Sequence, residues 1–212
     1  MDAFLLGRIC LGTLGFVLIW YLVVRQIRRW HPFPIPHFLV YFIDNPLRRA
    51  VQPPAQTIAS LGLRAGMQVL EIGPGSGTYT LAAARAVTEA GTVTALEIDP
   101  RIAARLERRV ERESLENVSV RQGDAQRLPF DDAQFDAVFL ITVLGEIPDQ
   151  ARALGEFRRV LKPGGTLGLS ELRIDPDFEP AERVIECCRE AGFVLIERGG
   201  DRLHYNLTFR KG

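Results

Sequence analysis

The chain has 212 residues, enough for one domain plus an appendage. Its 26 basic and 26 acidic residues cancel and its pI is near 6.8, so bulk electrostatic attraction to nucleic acid is not indicated. Three cysteines, two of them adjacent at Cys187 and Cys188, make neither a disulfide framework nor a spaced zinc pattern.

Ala3 to Val24 is a run of 22 residues with a single charge, Arg8. At ~1.5 Å per helical residue it is long enough for a hydrocarbon core of ~30 Å. Arg25, Arg28 and Arg29 follow at once, and Trp20, Tyr21 and Trp30 suit an interfacial belt. A cleaved signal peptide would need a basic start and a small-residue cleavage site, and both are missing. Residues 1–29 therefore read as a membrane anchor, spanning or monotopic, with the rest of the chain cytoplasmic by the positive-inside bias. Residues 30–55 hold six prolines and many aromatics between Trp30 and Pro54, and read as a stiff connector. One version of this connector simply packs on the following domain. In the other it lies at the lipid surface, with Arg48 and Arg49 on lipid phosphates.

Residues 56–212 alternate between strand and helix patterns, which implies an α/β doubly wound sheet. Gln56 to Leu63 reads as a leading helix. Val69 to Ile72 is a short apolar strand, and Gly73-Pro74-Gly75-Ser76-Gly77 turns it into a helix from Thr78. Strand, glycine turn and helix open a nucleotide-binding unit. The spacing is G-x-G-x-G, not the G-x-G-x-x-G of dinucleotide sites, and no P-loop lysine follows. Glu71 would repel a pyrophosphate and suits a ligand with a cationic amine. Further strands read at Thr92 to Asp99, Val118 to Gln122, Phe135 to Thr142 and Thr166 to Glu171. The last two, Phe193 to Glu197 and Leu203 to Arg210, form an antiparallel hairpin around Gly199-Gly200-Asp201. Glu97 ends the second strand, where this architecture places an acid on ribose hydroxyls. Arg101 to Glu113 reads as a helix with a solvated charged face.

The stretch from Glu71 to Gly77 resembles motif I of the class I S-adenosylmethionine (SAM)-dependent methyltransferases, E/D-x-G-x-G-x-G. The resemblance runs from about Gln56 to Gly212, through Glu97, Gly123-Asp124-Ala125 with Leu128-Pro129-Phe130, the fourth strand, and Leu161-Lys162-Pro163-Gly164-Gly165 as a structural turn. It implies SAM as the cofactor, a seven-stranded sheet of order 3-2-1-4-5-7-6 and an antiparallel seventh strand. It also implies a cofactor site of Glu71, Gly73, Pro74, Gly75, Ser76, Gly77, Glu97, Ile98, Asp124, Ala125, Ile141 and Thr142, with Asp124 on the adenine amino group.

Methyl transfer needs a positioned, desolvated nucleophile more than a dedicated base. Quinone and small-lipid methyltransferases often carry histidines after the fourth strand, but here Thr142-Val143-Leu144-Gly145-Glu146 stands instead. Candidates for the acceptor pocket are Glu146, Tyr79, His37, Tyr41 and His204, with no metal. An anchor makes sense for an acceptor dissolved in the bilayer, since tethering raises its effective concentration. The expected acceptor is a lipophilic small molecule: a phospholipid amine, a quinone or isoprenoid oxygen, or a hydrophobic thiol. The rival expectations are a membrane-tethered SAM-binding or interaction protein without turnover, and a nicotinamide-dependent reductase.

Overall fold

The computed structural model describes Val23, Gln26 and residues 45–212. The expected anchor and most of the proline-rich connector lie outside the described residues. Among the described residues no helix is long and apolar enough to cross a membrane.

The elements run α1 (Pro46–Val51), α2 (Pro54–Ser60), β1 (Gln68–Ile72), α3 (Thr78–Val87), β2 (Thr92–Glu97), α4 (Pro100–Arg112) and β3 (Val118–Gln122). They continue with β4 (Phe135–Ile141), a 3-10 turn (Leu144–Glu146), α5 (Gln150–Val160), β5 (Leu161–Leu172), α6 (Ala181–Glu190), β6 (Phe193–Gly200) and β7 (His204–Lys211). Local chemistry sets several of these boundaries. Asn45, Asp99 and Asp149 cap α1, α4 and α5 by accepting from the backbone N–H groups of Arg48, Arg101 and Arg152. Pro46 and Pro100 then occupy first helical positions, where a missing N–H costs nothing.

The seven strands form one sheet of order β3-β2-β1-β4-β5-β7-β6. All neighbours are parallel except β7, which runs antiparallel to both β5 and β6. This is the order the resemblance implied. The winding reverses between β1 and β4, and a ligand crevice forms at such a switch point, beyond the strands' carboxyl ends.

Burial follows the two-residue period of a strand. Val69 and Phe139 face one side, with Ile58, Leu61, Ala83 and Val87 packed over them. Leu70, Val138 and Leu140 face the other, against Phe157, Val160 and Phe209. Helices cover both faces, so β1 and β4 are near-continuous apolar runs. Emptying a site such as that of Phe139, fully buried, would cost about 3–5 kcal/mol.

Two expectations need correction. Lys162 to Gly165 is no turn ahead of β5. Leu161 already pairs with Phe135, and the ladder resumes at Ala137 and Thr166, so the proline and glycines bulge out of a longer strand. The β6 strand reaches Gly200, and the tip of the last hairpin falls at 201–203. The described end of the connector follows the first of its two readings and packs on the domain. Gln52 is fully buried, and its Nε2 donates to Ser170 Oγ on β5 at 2.6 Å. Residues 45–55 thus pack as part of the domain.

Candidate active site

The crevice is lined on one side by the glycine turn, the end of β2 and residues 123–126, and on the other by Arg48, Tyr79 and residues 141–148. These two halves differ in what they offer a ligand.

The first half starts at Glu71, the fourth residue of β1. Its carboxyl is 3% exposed, and Oε2 has no hydrogen-bond partner among the described residues. Burial raises its pKa to about 8; the nearby Thr80 hydroxyl opposes the shift without making a well-formed bond, and Glu97 adds to it. An orphaned buried carboxyl is costly unless a ligand completes it. A ligand ammonium would do so, returning the group to its charged form. The residues present therefore fit SAM.

The glycine turn leaves β1 with Gly73 N–H donating to Leu96 O at 2.9 Å, and Gly77 N–H closing back on Pro74 O at 2.9 Å. Gly73, Pro74, Gly75 and Ser76 line the crevice. Gly77 does not, and its reason is packing. It caps α3 at φ +87°, and a Cβ there would stand 2.2 Å from Leu106 Cδ1 on α4. The turn is also pinned from outside: Arg109 Nη1 donates to Ser76 O at 2.7 Å. The charged face of α4 is therefore not wholly solvated, and Arg109 is a functional residue that its helical pattern did not single out.

Glu97 ends β2 and is 5% exposed. Its Oε1 accepts from Asp99 N–H at 3.1 Å and its Oε2 from Gly75 N–H at 3.3 Å. Burial raises its pKa, while the backbone N–H groups of Asp99, Gly75 and Ile98 hold it back. Glu97 thus orders the glycine turn as well as facing the crevice. Asp124 lies in the turn after β3, where Oδ1 accepts from Gln126 N–H at 2.8 Å and from Gln126 Nε2 at 3.1 Å. Gln126 Oε1 in turn accepts from Asp149 N–H. Ile98, Ala125, Ile141 and Thr142 complete this lining.

The second half is built around Thr142. Its φ is +55°, an outlier for a β-branched residue, stabilised by its N–H donating to Ser170 O at 2.7 Å. Arg48 Nη2 donates to Thr142 Oγ1, and to Asp175 Oδ2 at 3.3 Å. Arg48 therefore does not face lipid phosphates, contrary to one sequence expectation; its side chain is 10% exposed and lines the crevice. Tyr79 lines it too, but its hydroxyl sits 2.9 Å from Gln52 Oε1 and 3.1 Å from Gln52 O, the bonding of a tether between α3 and α1 rather than of a base. Glu146 lies on the 3-10 turn, half-buried and in the lining. His204 stands apart from the crevice, its Nδ1 3.1 Å from Asp201 Oδ1. His37 and Tyr41 lie outside the described residues. Arg48, Gln52 and Asp175 were not singled out as site residues by the sequence.

Residues 70–169 match the methyltransferase domain family. A demethylmenaquinone methyltransferase of Staphylococcus aureus is 40% identical over 111 residues, covering 52% of this chain and 45% of that protein. The chain thus spans about half the length of the curated relatives it matches. A SAM-dependent methyltransferase from Aquifex aeolicus superposes with a TM-score of 0.79 at 21% identity, over 84% of this chain and 100% of that one. The [4+2]-cyclase SpnF superposes with a TM-score of 0.68 at 23% identity, over 76% and 80%. Over residues 70–169, this chain is thus similar to the methyltransferase domain family, and its sheet has the order that the motif I resemblance implied.

Proposed function

We propose that the chain transfers the methyl group of SAM to a lipophilic ring acceptor of the quinone class, in its reduced dihydroxy form, at a membrane surface. The observation that carries this reading is the continuity of the crevice. Past the half that fits the cofactor, the same cavity runs on into Arg48, Tyr79, Thr142, Val143, Glu146 and Ile147. A sulfonium methyl needs an electron-rich acceptor, which a hydroquinone ring supplies and an oxidised quinone does not. The similarity to a demethylmenaquinone methyltransferase supports the quinone class over phospholipid amine or thiol.

When bound, SAM supplies an already activated methyl group. The protein's part is to bind and to exclude water. Glu71 takes the ammonium, Glu97 the ribose, and the turn after β3 the adenine. Thr142, held off its preferred backbone region, fixes the floor between the two halves. Glu146 is the carboxylate nearest to hand for the acceptor's hydroxyl proton. The 22-residue apolar run ahead of Trp30 brings this site to the phase where the acceptor is dissolved.

The test is turnover. Full-length protein in vesicles, given SAM and a reduced short-chain naphthohydroquinone, should yield S-adenosylhomocysteine (SAH) and a product one methylene heavier, with phospholipid and alkyl-thiol arms unmethylated. A product in another arm, or in none, contradicts the acceptor class. Deleting Met1 to Arg29 should leave SAH affinity unchanged and lower turnover on the bilayer acceptor far more than on a water-soluble analogue. Equal turnover on both would contradict membrane delivery.

A further inference from the structure

Arg48 carries more hydrogen-bonding capacity than its protein partners use. Its Nη2 spends both hydrogens, one on Thr142 and one on Asp175. Its Nε and Nη1 donate to no group among the described residues, although the side chain is 90% buried and lines the crevice. These two groups open onto the crevice, where an oxygen of a bound ligand can accept from them in place of water.

The shape of what is missing can be narrowed. A guanidinium grips a carboxylate or phosphate through a fork of two nitrogens. Both forks of Arg48 include Nη2, which is occupied, so what remains open suits single oxygen atoms. The charged surroundings point the same way. Asp175 on the loop after β5 is already paired with Arg48. Glu171 on β5 is fully buried near Asp175, Glu179, Glu146 and Arg48, and burial pushes its pKa well above the usual carboxylate value. Glu146 lines the cavity from the 3-10 turn, and the neutral Tyr79 from α3. A polyanion would meet Glu146 and Asp175 unfavourably, whereas one oxyanion beside one guanidinium would not. Ile72, Val143 and Ile147 supply an apolar wall for a ring.

The geometry points to Arg48 as an oxyanion subsite of the acceptor pocket, binding one ionised ring hydroxyl of a phenolic acceptor through either Nε or Nη1. The hydroxyl proton passes to Glu146, and the electron pair left on oxygen enriches the ring carbon that forms the new carbon–carbon bond; the methyl–sulfur bond breaks to give SAH, and the hydrogen on that ring carbon leaves as a proton to solvent. The subsite lies on α1, ahead of the residues that match the methyltransferase family, so it is a property of this chain's own N-terminal packing. It deepens the quinone reading and rests on it for the identity of the acceptor.

The test uses 1-naphthol as a probe, bound to full-length protein in the presence of SAH, with its ionisation followed by absorbance. On the wild type, bound naphthol should ionise about one to two units below its value in buffer, the effect of an opposite charge at short range. Arg48→Gln should abolish the shift and Arg48→Lys should retain part of it, with SAH affinity close to wild type. Bound naphthol that titrates as in buffer, a shift that survives in Arg48→Gln, or no naphthol binding to the wild type would each overturn the subsite. The wild-type comparison with buffer decides the matter even if a variant does not fold. Failure of naphthohydroquinone turnover would overturn the acceptor class and leave a naphthol shift standing, so the two readings fail separately.

Discussion

The two halves of the crevice are built by different means. The cofactor half is made by short-range chemistry at the ends of β1, β2 and β3: a glycine turn, two buried acids and a self-bonded aspartate. The acceptor half is made by long-range closure. A helix from the start of the described chain reaches across to the ends of β4 and β5 through Arg48 and Gln52. The first half keeps an unfilled place, because Glu71 Oε2 has no hydrogen-bond partner among the described residues. The second is finished by protein, and only the idle donors of Arg48 are left over. Substitutions that separate cofactor binding from acceptor handling test this division.

The largest effect should come from Gly77, which serves the fold and not the ligand. Gly77→Val adds a β-branched side chain at φ +87° and against Leu106. Left-handed strain and overpacking together should cost about 2–5 kcal/mol of stability, read by chemical denaturation. A normal melting profile with lost SAH affinity would instead put this glycine in the ligand site.

Glu71→Gln should do the reverse. SAH affinity should fall by about 1.5–3 kcal/mol, the value of a charge-assisted hydrogen bond, measured by calorimetry. Ligand-free stability should not fall. A carboxyl whose folded pKa is raised from 4.5 to about 8 binds more protons folded than unfolded between those values. The wild type therefore loses stability as pH rises through that window, and the glutamine variant should lose less. A variant less stable than wild type at pH 8 would show that Glu71 is a structural acid.

The smallest effect should be that of Tyr79→Phe. Removing a hydroxyl tied to Gln52 should cost about 0.5–1.5 kcal/mol of stability and lower acceptor turnover through looser seating of α1, with SAH affinity unchanged. Turnover lost with stability intact would make the hydroxyl itself a catalytic group.

The same division explains what was legible in the sequence. Glu71, the glycine turn and Glu97 lie at strand ends within a local pattern, so spacing singles them out, whereas Asp124 came from the family resemblance. Strand order followed from the family resemblance rather than from periodicity. The acceptor half has no such local code. Arg48 meets Thr142 across 94 residues and Asp175 across 127, and an arginine after a proline-rich stretch looks the same whether it faces lipid or turns inward. Gln52 carries no pattern at all, and its burial is visible only once Ser170 and Tyr79 are beside it. Gly77 misled for a different reason. A motif glycine fits a ligand contact and a helix–helix contact equally, and only the position of Leu106 decides between them.

The central claim is that the cofactor half waits for a cation at Glu71. It is tested most directly by counting protons released when SAH binds. Calorimetry at pH 7 in buffers of different ionisation enthalpy should find about one proton released per SAH bound, because a carboxyl with a pKa of about 8 must ionise to meet the ligand's ammonium. The release should vanish in Glu71→Gln and shrink in the wild type above pH 8. SAH binding with no proton release at pH 7, or with the same release in the variant, would contradict the assignment of Glu71 to the ligand's positive charge.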